Sequence, residues 1–563
     1  MPAGGAPGAA GVKRLSRPSR PARRGVGPRG RGPTPQRAPW VSPALFLAAV
    51  FLAAAGLYHV RAFCHDDAFI TLRYVHRLVS GLGLTWSDGE HVEGFTHPLW
   101  LGQLALLHGL GADPVSAARA LGLTYVAALF MLWWRARARP TALLLVATQP
   151  GFVLWARGGL ETASVCFWMT AGAWLTLLAR ERAQAADTRA TRTAALAGAA
   201  LAAAALTRPE GIATGLIALL WISRARRPRA ALAAAALFIV PVAAYEAFRL
   251  AYFGDFLSNS ARVKIGGLPL DWQLQSGVYY LSHQWTSWLP GVAAAALALA
   301  LTASTRSLLV FALALPVWIS LLLGGGDHMP GARLVVPATV LAAFAVAIHD
   351  RPAGLRSLVA ALLVCAGAVW QAATTFAPPP ARDSALAVGA PVGRYLETHL
   401  PAGALVATAT AGSTPYFAPS LRFIDLLGLN DREIANRRID GIQTNLQAMP
   451  GHTKGDGAYV LRRAPDVIIL GPAEGFLGGN PRAWFLTDFE LLLSPEFRTR
   501  YQPYGFPVSV TSEESAHPRV VAMLDASGRA FPLIAFLRVG STAAGRLAIS
   551  GTPLIPPWSA PAR

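Results

Sequence analysis

Two adjacent aspartates, Asp66 and Asp67, stand in FCHDDAFITLRYVHRLVSGLGLTWSDGEHVEGFTHPLW, residues 63–100, directly after the first long apolar stretch of the chain. One carboxylate at a helix start suffices to cap it, because its oxygens accept from the free amides of the first turn. A second beside it makes a candidate general base, since one carboxylate raises the pKa of its neighbour. A carboxylate pair is also an oxygen-ligand set for a divalent cation, with Asp67 the candidate metal ligand and His65, His97 and His328 as further donors. Capping and chemistry both stay open for the pair. More ionisable residues recur in short segments between apolar blocks. Glu90 and Glu93 lie in the first segment, Glu161 in RGGLET (157–162) and Arg208 with Glu210 in RPEG (208–211). Asn259, Arg262 and Lys264 lie in FGDFLSNSARVK (253–264), and Asp327, His328 and Arg333 in GGGDHMPGAR (324–333).

Each segment has two readings. Arg208 beside Glu210 makes a structural ion pair or lines a pocket. Arg262, Lys264 and Arg333 either snorkel at a membrane edge or hold a lipid phosphate. The glycines at 324–326 permit close backbone approach but lack the G-x-x-x-x-G-K-[ST] spacing of a phosphate loop. No HExxH, GxSxG or dinucleotide fingerprint occurs, which removes support from hydrolase and nucleotide-sugar chemistry.

The elements that position these groups follow from composition. The chain of 563 residues is 53% hydrophobic and 14% charged, with a mean hydropathy of +0.40; a soluble domain carries about 25% charged residues. This predicts a polytopic α-helical membrane protein. Candidate spans fall at 41–61, 114–134, 141–156, 162–180, 193–207, 211–223, 229–250, 286–304, 307–323, 333–349 and 355–376, about eleven by hydropathy. The net charge of +20 is no sign of nucleic acid. Nine Lys and Arg and no acids lie in residues 1–40, and the rest cluster in short connectors: RARAR (135–139), RERAQAADTRATR (180–192), RARRPR (224–229), Arg306 and HDRPAGLR (349–356). That distribution is the positive-inside pattern. All connectors fall inside if PLWLGQLALLHGLG, 98–111, does not span. The acidic segments then share the opposite, outer face, where charge near the hydrocarbon edge marks function.

Residues 1–40, rich in Pro, Gly and Arg, read as a disordered basic cytoplasmic tail. The stretch after it is too long for a signal-peptide core and reads as a retained span. FITLRYVHRLVSGLG carries an apolar helical stripe with Arg73, His76 and Arg77 opposite, the pattern of an interfacial amphipathic helix. Cys64, Cys166 and Cys365 lie far apart, so neither a disulfide framework nor a cysteine metal site is expected. APPPARD forms a linker after residue 377. ALVATAT and PDVIILGP read as strands, and RAWFLTDFELLL and GRYLETHL as helices. Residues 378–563 are thus expected to form an extracytoplasmic α/β domain, periplasmic in a Gram-negative cell, behind a 41–377 membrane domain.

DDAFI with RYVHRLVSGLGLTWSDGEHVEGFTHPLW, GLET, RPEG, FGDFLSNSARVK, GGGDHMPGARLVVP, FIDLLGLND (423–431) and PGHTKGDGAYVLRRAPDVIIL (450–470) together resemble the outer loops of GT-C glycosyltransferases. They are most similar to the mycobacterial terminal arabinofuranosyltransferases and their relatives, over about residues 45–470. The resemblance implies a GT-C-like bundle in the inner membrane that moves a sugar, a pentofuranose in those relatives, from a polyprenyl-phosphate donor to an envelope glycan acceptor. It implies Asp66 and Asp67 as catalytic carboxylates, with a divalent cation as candidate cofactor. Arg262, Lys264 and Arg333 become donor-phosphate residues, and Glu161, Glu210, Asp327 and His328 pocket or acceptor residues. Arg73, Glu93, Arg208 and Asn259 join them as substrate-binding candidates. The sequence departs from the pattern at His328, where an aromatic is expected, at Tyr252–Phe253 in place of two tyrosines, and in lacking a proline before Asn259. The departures bear on sugar choice. A lipid-linked glycan transporter predicts ionisable residues at span centres and inverted repeats, neither of which the sequence carries. A silent envelope or motility factor on the same scaffold is the third alternative.

Overall fold

The long Ala- and Leu-rich runs have high helix propensity and few charges, and they form helices. The computed structural model describes residues 43–265, 269–348, 354–377, 383–477, 483–556 and 558, with Gly5 and Gly8. The expected disorder of 1–40, most of the 378–382 linker and part of the HDRPAGLR connector lie outside these residues. The membrane-type part runs α1 (Pro43–His59), α2 (Asp66–Val79), α3 (Pro98–Gly109), α4 (Pro114–Arg135), α5 (Pro140–Ala147), α6 (Pro150–Trp155), α7 (Thr162–Gln184), α8 (Ala190–Ala205) and α9 (Glu210–Ser223). It continues with α10 (Pro228–Phe253), α11 (Asn259–Ile265), α12 (Leu270–His283), α13 (Trp285–Thr302), α14 (Thr305–Ala312), α15 (Leu315–Leu323), α16 (Val336–Ala347) and α17 (Leu355–Thr375).

Among the described residues, seven segments are long and apolar enough to cross a membrane: α4, α7, α10, α13, Thr305–Leu323, Pro330–Ala347 and α17. Three shorter apolar helices, α1, α8 and α9, accompany them. The expected span 141–156 is a correction. It breaks at Thr148–Gln149 into two buried helices of 8 and 6 residues, because Pro150 cannot continue the helix of α5. α3, at 12 residues, is about 18 Å long, short of the roughly 30 Å hydrocarbon core, as the non-spanning reading of 98–111 requires. Close packing of α7, α8, α9 and α10 rests on small side chains: Ala179, Ala194, Ala197, Ala230 and Ala234 form one buried cluster with Ile222.

The last third is a mixed sheet with helices. Its strands are β1 (Leu405–Thr408), β2 (Arg422–Asp425), β3 (Val467–Ile469), β4 (Tyr501–Ser509), β5 (Ala530–Arg538) and β6 (Thr552–Pro553), ordered β2-β1-β3-β5-β4-β6. β1 runs parallel to β2 and β3, with Val406 beside Phe423 and Val467. Every residue of β1 and β3 is buried, as expected of parallel strands covered on both faces. β5 and β4 pair antiparallel beyond them. Residues 40–563 pack as one unit, with no cut between bundle and sheet.

α2 carries the aspartates, and its setting differs from the expected interfacial helix. Arg73 and Arg77 are buried with Phe69, Ile70, Leu72 and Val75. The Arg73 guanidinium donates to the carbonyls of Trp86 (2.7 Å), Leu421 (3.1 Å) and Pro415, between the rings of Trp86 and Phe423. The sheet domain covers the face that the sequence pattern left to solvent.

Candidate active site

Helix α2 begins where acids suit it: Asp66 and Asp67 fill its first turn, His76 and Arg77 its last, each complementing the helix dipole. The cap itself is His65, whose Nδ1 accepts from the Asp67 amide at 3.2 Å. A cavity of 450 Å³ opens there, within the 300–1,000 Å³ usual for ligand pockets. Its bundle wall is His65, Asp66, Asp67, Lys264, Asp327 and His328. Its other wall comes from the residues that follow β1, β2 and β3, among them Thr410, Leu427, Gly471 and Glu474, with His452, Trp484 and Phe485 beside them. The site thus lies outside the carboxyl ends of parallel strands, where open α/β sheets commonly bind ligands.

The two aspartates part company. Asp66 is buried, with Oδ1 accepting from the Ser413 amide (2.8 Å) and hydroxyl and Oδ2 from the Gly412 amide (3.1 Å). A side chain at Gly412 would run into the Asp66 backbone and carboxylate, so glycine is required for this approach. Burial, then the neighbouring Asp383, pushes the Asp66 carboxyl up to about 6. The Asp67 carboxylate accepts no hydrogen bond among the described residues and lies 3.7 Å from His65 Nδ1. Burial opposes its charge, but His65, Arg333, His328 and Lys264 together hold it below the usual carboxylate range. Asp67 is therefore the ionised, uncommitted group.

Around Asp67, His65 turns Nε2 toward Asp383 Oδ1 at 3.8 Å. The His328 ring sits 6.3 Å from that of His65 and 4.8 Å from that of His452, which stacks on Phe485. Burial lowers the pKa of both His328 and His452, the latter to about 3, so the His452 ring is neutral at pH 7. Lys264 reaches the cavity without an ion pair among the described residues, and burial, then Arg333, lowers its pKa. Among the described residues no group of three or more His, Cys, Asp or Glu is placed to hold a metal ion. Asp67 stays an open single ligand.

The other residues expected at the site stand behind the cavity. Arg333 donates to Asp327 Oδ2 through Nη2 (3.0 Å) and Nε (3.2 Å), with its guanidinium 5.0 Å from the Trp155 ring. Glu161, Arg208 and Glu210 form a buried network: Arg208 Nη1 donates to Glu161 (2.9 Å) and Nε to Glu210 (2.6 Å). His97 faces Glu161 at 3.5 Å and meets Thr71 of α2 at 2.7 Å. Burial is outweighed there by His97 and Arg208, which bring Glu161 down to about 2. Glu93 is tied to Arg249 (2.6 Å) and Tyr245 on α10. Asn259 Nδ2 donates to the carbonyls of Gly428, Leu429 and Asp431 (2.6–3.1 Å), and Arg262 pairs with Asp255. Arg73, Glu93, Glu161, Arg208, Glu210, Asn259 and Arg262 thus stand away from the cavity wall, each hydrogen-bonded to other protein groups. Sequence reading missed His452, although it lies in the PGHTKGDGAYVLRRAPDVIIL segment, and Asp383, Ser413, Glu474, Trp484, Phe485 and Arg519, which none of the segments carrying the resemblance contains.

A domain of unknown function (DUF8728) matches residues 380–519. The terminal β-(1→2)-arabinofuranosyltransferase of Corynebacterium glutamicum is 26% identical over 383 residues, 58% of this chain and 55% of that protein. The chain thus spans about half the length of that curated relative. Two solved structures are similar. ArnT from Cupriavidus metallidurans bound to undecaprenyl phosphate is 14% identical, covers 68% of this chain and 85% of its own, and has a TM-score of 0.42. The archaeal oligosaccharyltransferase AglB from Archaeoglobus fulgidus, in complex with an inhibitory peptide and a dolichol-phosphate, is 12% identical, covers 90% and 77%, and has a TM-score of 0.45. Over the aligned 383 residues this chain is similar to a terminal arabinofuranosyltransferase, as the resemblance of the loop motifs implies.

Proposed function

We propose that this chain is a membrane glycosyltransferase that moves a sugar from a polyprenyl-phosphate donor to a hydroxyl of an envelope glycan. The observation that carries the reading is one cavity holding an ionised carboxylate, Asp67, and a cation, Lys264, without an ion pair among the described residues, between an apolar bundle and a sheet domain. Asp67 accepts the proton of the acceptor hydroxyl as its oxygen attacks the anomeric carbon. The bond from that carbon to the phosphate oxygen breaks, and Lys264, with Arg333 behind Asp327, meets the charge on the departing lipid phosphate. Asp66 holds the sheet domain against the cavity. The similarity to a terminal arabinofuranosyltransferase supports a pentofuranose as the sugar. The positive-inside pattern of the connectors supports a cavity facing the periplasm.

The test is a panel of radiolabelled polyprenyl-phosphate pentoses and hexoses given to purified protein. Transfer from at least one donor, lost in Asp67→Asn, is expected. Transfer that survives the substitution removes Asp67 as base, and no transfer from any donor favours a transporter or a silent scaffold. Cysteines introduced at Ser80 and Ala225 should label from outside and inside respectively.

A further inference from the structure

The sheet wall of the cavity has a chemistry different from the bundle wall. Trp484 is 37% exposed there, and its indole N–H makes no hydrogen bond among the described residues. Its position is fixed: Thr444 Oγ1 donates to its carbonyl at 2.9 Å, and the ring lies against Gly471, which has φ +69°. A Cβ at Gly471 would come within 3.2 Å of the Trp484 ring and 2.7 Å of the Phe476 ring. Beside this platform, Glu474 is buried at 7% exposure and receives the Arg519 guanidinium on Oε1. Its Oε2 accepts no hydrogen bond among the described residues, and Nε and Nη1 of Arg519 donate none.

From this we infer that the sheet wall is the acceptor subsite, and that its occupant is a neutral saccharide resting on Trp484 with hydroxyls between Glu474 and Arg519. The inference rests on the glycosyltransferase reading above. An aromatic face with its negative quadrupole suits the C–H face of a sugar ring. A carboxylate oxygen and guanidinium N–H groups side by side match the donor and acceptor of vicinal hydroxyls. A phosphate is disfavoured there, because Glu474 would repel it and Arg519 is already paired. The phosphate-seeking group, Lys264, is on the other wall. Donor and acceptor therefore approach Asp67 from opposite walls, and the two domains divide the substrates between them.

The experiment measures donor and acceptor KM separately in the full-length enzyme, and titrates the same protein calorimetrically with arabino-, galacto- and manno-oligosaccharides of two to four sugars. Binding of at least one of these by the native chain is expected. Trp484→Ala should weaken that binding and raise acceptor KM about tenfold, the worth of an aromatic contact. Donor KM should stay unchanged, and Trp484→Phe should recover most of the loss. Glu474→Gln should act in the same direction. A change in donor KM in place of acceptor KM, equal binding by native and Trp484→Ala protein, or no binding of any oligosaccharide overturns the subsite. An enzyme that transfers from no donor overturns the glycosyltransferase reading, while the titration still decides the saccharide site. Melting curves of Trp484→Ala that match the native chain rule out a folding defect, and Trp484→Phe decides the case where they do not.

Discussion

Two charged regions lie one behind the other in this molecule, and they behave oppositely. In the rear network Arg208 spans Glu161 and Glu210, and His97 ties the group to Thr71 of α2. Arg208 offsets both carboxylates, while Glu161 Oε2 faces His97 at 3.5 Å without a hydrogen bond among the described residues; such offsetting is how buried charges survive in a low dielectric. In the cavity the Asp67 carboxylate has no hydrogen bond, and Lys264 has no ion pair, among the described residues. Both regions look alike in sequence, as acids and bases in short loops between spans. What separates them is the Arg208 guanidinium, hydrogen-bonded to two carboxylates, whereas Asp67 and Lys264 hold no hydrogen-bonded ion pair among the described residues.

The two regions should respond oppositely to substitution at their centres. Asp67→Asn should lower transfer by about 10²–10⁴-fold while the melting temperature in detergent stays at the native value, because no hydrogen bond to that carboxylate is lost. Arg208→Met should do the reverse in kind. It leaves Glu210 without its cation and Glu161 facing only His97, and should destabilise the chain by about 3–5 kcal/mol, read as a lower melting temperature. The remaining folded fraction should keep its acceptor and donor KM. Ser413→Ala removes a hydroxyl from Asp66 and should cost about 1.5–3 kcal/mol, the range for hydrogen bonds to charged groups, with transfer per folded molecule nearly unchanged. The smallest effect concerns pH. The folded pKa of Asp66, about 6, lies above its unfolded value near 3.8, so its contribution is full below 3.8 and is lost as pH rises through about 6. The fall in melting temperature across that window should be shallower in Asp66→Asn.

Much of this arrangement was legible in the sequence. Ten of the apolar blocks form apolar helices, β1 and β3 lie where β-branched runs sit between Gly and Pro, and the HDD and GGGDHMPGAR segments line one cavity with Lys264. Pro150 marked the break between α5 and α6, but hydropathy alone read through it. The roles of Glu93, Arg73 and Asn259 were not legible. Their partners Arg249, Leu421 and Gly428 lie 156, 348 and 169 residues away in the chain, and helical or strand periodicity reports nothing across such distances. The same holds for Trp484 and Glu474, whose place in the cavity depends on how the sheet docks. β4 and β5 went unread because Pro503, Pro507 and Pro532 interrupt their β pattern.

The clasp of Asp66 on Gly412 and Ser413 joins residues 346 and 347 positions apart. During synthesis the aspartate leaves the ribosome long before the loop that accepts it. The bundle can insert and pack while the cavity still lacks its second wall. A half-made chain in the bilayer therefore has the charged groups of the site but no closed pocket in which to use them. The pocket is complete only once the sheet has folded over the bundle.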